Sequence, residues 1–162
     1  MFHYRWYDDK DIENAGTLLP LYANTTLTNV ELIQKKEEIS KRQLGRVWVV
    51  GSNQKTAPLI DQSFKKVISI LEDHFINYPF LLGFRPASSD FSFFGQLSQL
   101  LGFDPTPRSI IQNSSMRTVA WVGKTADLSG LEPNNEDWIS DSKLPKTLKS
   151  IFIEIGKTYV PT

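Results

Sequence analysis

Two histidines, His3 and His74, and no cysteine set the limits on what this chain can catalyse. Without cysteine there is no thiolate nucleophile and no thiolate metal site. His74 stands between Asp73 and Phe75 near the apolar edge of an amphipathic stretch, with no second histidine to work with, and reads as a structural or surface residue. The carboxylates never gather with histidine at ligand spacing, so no metal site is expected. Glu72-Asp73 and Glu136-Asp137 are adjacent pairs whose side chains point different ways, a poor arrangement for acid–base work. No Gly-x-Ser-x-Gly elbow and no glycine-rich loop after a strand is present. No catalytic residue is expected in this chain. What remains is the opening run Phe2-His3-Tyr4-Arg5-Trp6-Tyr7. Tyr4, Arg5, Trp6 and Tyr7 have the composition of an apolar pocket with a few polar handles. On composition alone, packing of the same residues against the bundle or a partner domain is the favoured reading.

These residues have to be positioned by helices. Asp8-Asp9 can cap a helix to about residue 22, bent or broken near Pro20, whose nitrogen carries no hydrogen. Thr28 with Glu31 forms a capping-box pattern ahead of a helix over 29–50, with Val30, Leu32, Ile33, Ile39, Leu44, Val47 and Trp48 as its apolar positions. Glu37 and Glu38 are set to pair with Lys41 and Arg42. Thr56 opens the longest helix, where Ile60, Phe64, Val67, Ile68, Leu71, Phe75 and Tyr78 form one stripe that Pro79 ends. Asp104-Pro105 starts a short helix to about 113. Another covers 115–128 with Met116, Val119, Ala120 and Val122 inward and Trp121 on an edge. A polar loop over 129–143 encloses Trp138, and a last helix over 144–157 runs through Leu148, Ile151, Phe152 and Ile155. Sustained alternation with hairpin turns is missing, and Val47-Trp48-Val49-Val50 is a lone strand-like run. The expected architecture is all-α, a bundle of about seven helices in one domain over 1–162.

Composition agrees with this and removes several functions. Eighteen basic residues balance eighteen acidic ones, so no global field calls for nucleic acid or a membrane surface. Forty per cent hydrophobic content marks a globular chain. No apolar run approaches the roughly 20 residues of a membrane span, and the start lacks the charged and apolar regions of a secretory signal. The expected location is the cytoplasm.

The element that organises the sequence is Gly83-Phe84-Arg85-Pro86-Ala87-Ser88-Ser89-Asp90 and the helix it opens, 91–101. Pro86 forces an extended approach, Ser88 and Ser89 offer caps, and Asp90 puts a negative charge in the first turn. Phe91, Phe93, Phe94, Leu97, Leu100 and Leu101 then cover most of the circumference, the pattern of a central buried helix, with Gly95 allowing close approach of a neighbour.

Gly-x-x-Pro-x-x-x-Asp before an apolar helix resembles the segment that opens the core helix in the all-α C-terminal domain of glutathione transferase-like proteins. The chain departs from that pattern at the cap position three residues before Asp90, where Ala87 replaces the usual Ser or Thr. Phe80-Leu81-Leu82-Gly83 is similar to the approach to that helix, and Val119-Ala120-Trp121-Val122 to the one after it. His3 to Tyr7 and Leu144-Pro145-Lys146-Thr147-Leu148 resemble the entry and closing helices of one bacterial-type subgroup. The resemblance implies a domain that contributes the hydrophobic co-substrate pocket and part of a domain or dimer interface. Tyr4, Arg5, Trp6, Tyr7 and, more weakly, Trp121 would face the co-substrate. Pro86, Ser88 and Asp90 would be the structural capping element. The chain carries no cofactor of its own; glutathione would be the co-substrate, bound by a thioredoxin-like domain that this sequence does not contain. A homodimer is a further implied partner. The alternative is a non-enzymatic helical interaction module of the same fold. Under both, an exposed aromatic patch around Phe2, Tyr4, Trp6 and Tyr7 is expected where a partner docks.

Overall fold

A computed structural model describes residues 1–158. Among the described residues there are eight α-helices: α1 (Phe2–Arg5), α2 (Asp9–Ala23), α3 (Asn29–Leu44), α4 (Ala57–His74), α5 (Ser88–Gly102), α6 (Pro105–Ser114), α7 (Met116–Thr125) and α8 (Lys146–Thr158). Short 3-10 turns lie at Val47–Val50, Asn135–Asp137 and Asp141–Lys143. The all-α expectation holds, and the bridges at Phe80–Gly83 and Gly83–Trp138 are isolated ones outside any strand. The chain forms two compact units, one of Met1–Asp61 with Gln99–Ser109, the other of Gln62–Ser98 with the chain from Ile110 onward.

In the first unit Trp6, Ala15 and Phe103 make the core, with Phe2, Ile12, Leu18, Leu19, Ile39 and Val47 packed around them. The α3 start is the expected capping box. Thr28 Oγ1 accepts from Glu31 N at 3.4 Å, and Thr28 N donates to Glu31 Oε2 at 2.8 Å. Gly16 marks the close approach of α2 to α3, since a Cβ there would stand 2.8 Å from Ser40 Oγ. The break at Pro20 does not occur. Proline in the last turn removes only one bond, and α2 continues to Ala23. The helix expected to reach Val50 stops at Leu44, because Val47 turns into the core through a 3-10 turn rather than continuing the helical stripe. No residue of α3 is buried, so Val30 and Ile33 face solvent. Glu38 pairs with Lys35 rather than with the cations after it.

In the second unit Ile68 and Leu71 of α4, Phe80, Ile111, Trp121, Leu148 and Ile151 are buried. Of the expected stripe, Ile68 and Leu71 are buried and Ile60, Phe64 and Val67 partly so, and the helix ends at His74, before Phe75, Tyr78 and Pro79. His74, fully buried, makes two contacts: Nδ1 lies 2.8 Å from Thr147 Oγ1 and Nε2 lies 3.2 Å from Phe80 O. The ring also stacks on Tyr78. Gly83 has φ 133°, and a Cβ at that position would sit 2.2 Å from Asp137 O. The polar loop can therefore lie directly on the chain there, with Phe84 N donating to Asp137 O at 2.8 Å and Ile139 N to Leu82 O at 2.9 Å. Only glycine permits both the angle and the approach.

Asp90 does more than favour a helix dipole. Its fully buried carboxylate accepts from Leu81 N at 2.8 Å and Ala87 N at 2.9 Å, fastening the preceding loop to the start of α5. The helix begins at Ser88, which leaves Ala87 in the cap position. Ser88 is exposed, and Ser89 Oγ is buried without a partner. The expected serine cap is thus replaced by half a capping box, with Asp90 reaching back.

The expectation of a central buried helix fails for α5. Phe91 is 53% exposed, Phe93 and Phe94 are half-buried, and only Asp90, Leu97 and Leu100 are fully inside. Nothing lies within 4 Å of a Cβ built at Gly95, so it serves no close contact. In α7 the inward face is Thr118, Trp121, Val122 and Thr125, while Met116 is 63% exposed and Ala120 is outside. Ser115 sets that register. It caps the helix through Thr118 N and, with Arg117 N, donates to Glu72 Oε2. On α8, Phe152 and Ile155 face out, and Glu154 is buried in an ion pair with Lys66.

Two outcomes follow for stability. Asp90→Ala strands two buried N–H groups and should cost on the order of 3 kcal/mol. Ser88→Ala should change stability by under about 0.5 kcal/mol. Denaturant unfolding of both separates the two capping accounts. Burial lowers the His74 pKa from its ordinary 6.5, and burial lowers that of His3 likewise. Above 6.5 both are neutral folded or unfolded. Below it the unfolded chain takes up protons that the folded chain resists, so stability falls as pH drops through 6.5 towards the lower folded values. In His74→Gln that acid-side slope should shrink in a pH series of unfolding midpoints.

Candidate functional site

The first four helical residues are too few to hold themselves in place, and α1 is fixed by what its side chains grip. Arg5 donates from Nε to Asp104 Oδ1 at 2.8 Å and from Nη2 to Oδ2 at 3.0 Å, a two-point bond to a fully buried carboxylate. Its guanidinium also lies 4.2 Å over the Phe103 ring. Trp6 enters the core beside it. These anchors turn the other face of α1 towards the start of α4 and towards Thr106.

There a cleft of about 270 Å³ opens, lined by His3, Tyr4, Tyr7 and Asp8, by Ala57, Pro58 and Asp61 of α4, and by Thr106. That is slightly below the span of about 300–1,000 Å³ usual for small-molecule sites. Tyr4 OH donates to Asp61 Oδ1 at 3.1 Å. The Tyr7 ring, 45% exposed, lies 4.6 Å from the His3 ring. His3 Nδ1 meets the buried Ser52 Oγ at 2.7 Å. Thr106 is held by Asp11, which accepts from its backbone N at 2.9 Å and from its hydroxyl.

Burial, reinforced by the Asp61 carboxylate, pushes the Tyr4 phenol well above the usual tyrosine range, so it stays a proton donor. Burial lowers the His3 pKa while Asp8 and Asp61 pull the other way, and the ring is neutral at neutral pH. Ser52 does not line the cleft. The lining therefore offers aromatic walls, two carboxylates and hydrogen-bonding groups, and no activated nucleophile. It can bind and orient a small molecule.

Of the residues expected to face a ligand, Tyr4 and Tyr7 line this cleft. Arg5 is engaged with Asp104, and Trp6 is in the core. Trp121 belongs to the second unit, where it stacks on Phe75 at 5.2 Å with its Nε1 buried and unpartnered. Pro86, Ser88 and Asp90 lie in the second unit too, and Asp90 alone of them makes the capping bonds described above. The expected exposed aromatic patch does not exist in that form. Tyr4 and Trp6 are buried, Phe2 is half-buried, and Tyr7 alone is open, because the first unit has room for these rings beside Ala15 and Phe103. The sequence does not signal the other lining residues, His3, Asp8, Ala57, Pro58, Asp61 and Thr106. Tyr4 and Asp61 are 57 residues apart, and no local spacing signals that pairing.

Among the described residues no group of three or more His, Asp or Glu could hold a metal ion, and no helix is long and apolar enough to cross a membrane. Searches of protein-family models, curated proteins and solved structures found no match to this chain. The described residues form an all-α bundle whose first unit carries a small aromatic and acidic cleft.

Tyr4 gives a direct check of the site. In alkaline absorbance titration the rise in tyrosinate absorbance through the ordinary tyrosine range near pH 10 should be the same for the protein and for Tyr4→Phe, because the Tyr4 phenol does not ionise there. A difference of one tyrosinate at that pH would place Tyr4 outside the buried environment.

Proposed function

We propose that this chain is the helical domain of a glutathione transferase-like protein, where it provides the apolar pocket for an electrophilic co-substrate and part of a domain or dimer interface. The observation that carries the reading is the Gly83–Asp90 element. Its buried carboxylate ties the loop through Leu81 and Ala87 to a helix start, after a long amphipathic helix, at the place where the sequence resembles that family. The step from this element to function is analogy of fold and motif. The pocket in this reading is the cleft of Tyr4 and Tyr7. Its lining has no activated nucleophile, so activation of the glutathione sulfur falls to a thioredoxin-like domain, the partner this reading requires. The chain alone is then a binding domain without turnover, and the cytoplasm is the compartment that suits glutathione chemistry.

The test is conjugation of glutathione to 1-chloro-2,4-dinitrobenzene by the protein expressed from its whole natural reading frame. Turnover is expected. In Tyr7→Ala the KM for the electrophile should rise about fivefold, the loss of roughly 1 kcal/mol of contact, with the KM for glutathione unchanged. A protein that neither turns over nor binds either compound by calorimetry contradicts the reading, and a non-enzymatic interaction module of the same fold would take its place.

A further inference from the structure

The net charge of zero conceals a local imbalance. Residues 39–60, between Glu38 and Asp61, carry Lys41, Arg42, Arg46 and Lys55 and no Asp or Glu. The same stretch holds the most exposed run of large apolar side chains in the first unit. Trp48 is 73% exposed, Val49 64% and Val50 51%, and Leu44 joins them from the end of α3. They are consecutive in one 3-10 turn that ends at Gly51 with φ 69°. Val47, partly buried, packs against the core beneath the turn, and Trp48 Nε1 donates to Gly45 O at 3.0 Å. The apolar tip is therefore held out by the fold. Lys41 and Arg42 stand exposed in the last turn of α3, and exposed Arg46 leads directly into the 3-10 turn.

Apolar patches displayed in this way mark contact surfaces. The chemistry of the ring around this one narrows the partner. Two copies meeting through this patch would bring Lys41, Arg42 and Arg46 of each together, and Glu38, one turn before Arg42, is already paired with Lys35. Nucleic acid would satisfy the cations and leave two exposed valines without use. An indole and aliphatic side chains surrounded by Lys and Arg suit the boundary of an anionic bilayer. There the ring settles at headgroup level, the valines reach the acyl boundary and the long cations contact lipid phosphate and carboxylate.

We propose that the tip formed by Leu44, Trp48, Val49 and Val50, with Lys41, Arg42 and Arg46 around it, is a docking surface for an anionic lipid membrane. The contact is peripheral and reversible, and it goes beyond the transferase reading, on which it does not depend.

The experiment is flotation of the protein with large unilamellar vesicles of phosphatidylcholine alone and of phosphatidylcholine with phosphatidylserine. Binding is expected to the mixed vesicles only and should weaken as salt rises. Arg46→Gln should lower the partition coefficient about fivefold, the effect of one cation near an anionic surface. Trp48→Ala should abolish flotation, while Ile76→Ser, an apolar site 58% exposed in the second unit, should leave it unchanged. All three positions are on the surface, so circular dichroism should show intact helices. No flotation with either vesicle, equal flotation with both, or an unaffected Trp48→Ala protein would overturn the proposal. So would a stable dimer that Trp48→Ala dissolves, since that would make the tip a self-contact. Glutathione conjugation is read separately, so failure here leaves the transferase reading standing.

Discussion

A buried ion pair decides the arrangement of the first unit. Asp104 is wholly shielded from water, and Arg5 meets both of its oxygens while lying on Phe103. A carboxylate in that position without its partner would be severely destabilised, whereas with a two-point partner it fixes direction as well as distance. The four residues of α1 inherit their orientation from it. Trp6 goes inward beside Ala15 and Phe103, and Tyr4 and Tyr7 are left beside Asp61 and Thr106. The cleft is thus a consequence of how one arginine is held.

The second unit relies on the same device with a different donor. Asp90 has no cation in hydrogen-bond contact; two backbone N–H groups surround it, and burial pushes its carboxyl up against their opposing pull. His74 holds Phe80 O on one side and Thr147 on the other, so the segment leading to α5 is fixed from two directions. Gly83 lets the polar loop lie on that segment, where the Arg85 guanidinium covers the Trp138 ring at 4.7 Å. In both units buried polar groups with full partners specify geometry that apolar packing alone would leave open.

Features with a local cause are legible in the sequence. The Thr28–Glu31 box, the α4 stripe and the all-α class depend on residues within one or two turns of each other. Features set by partners distant in sequence are not legible in it, as where a helix face is chosen across the fold. The apolar count of α5 predicted burial all round, yet only the face carrying Leu97 and Leu100 finds neighbours. The register of α7 was set by Glu72, more than forty residues away in sequence, which no spacing reveals. Val47-Trp48-Val49-Val50 has a strand composition, but a lone strand has no partner and the run became a turn with three exposed side chains. For the cleft, Tyr4 and Tyr7 were visible as aromatic residues in an unusual place. Arg5 looked like a polar handle for a ligand, because the Asp104 that claims it lies 99 residues on.

The most direct test of this account is a double-mutant cycle on that pair, using Arg5→Met, Asp104→Leu and the two together, measured by denaturant unfolding with Trp fluorescence. Each single change should cost about 3–5 kcal/mol, because it leaves a buried charge alone. The double variant should recover much of that loss, giving a coupling well above about 1 kcal/mol. Single effects that simply add, with Trp6 still shielded from solvent in both, would mean that α1 is held by its aromatic contacts and that the ion pair does not shape the cleft.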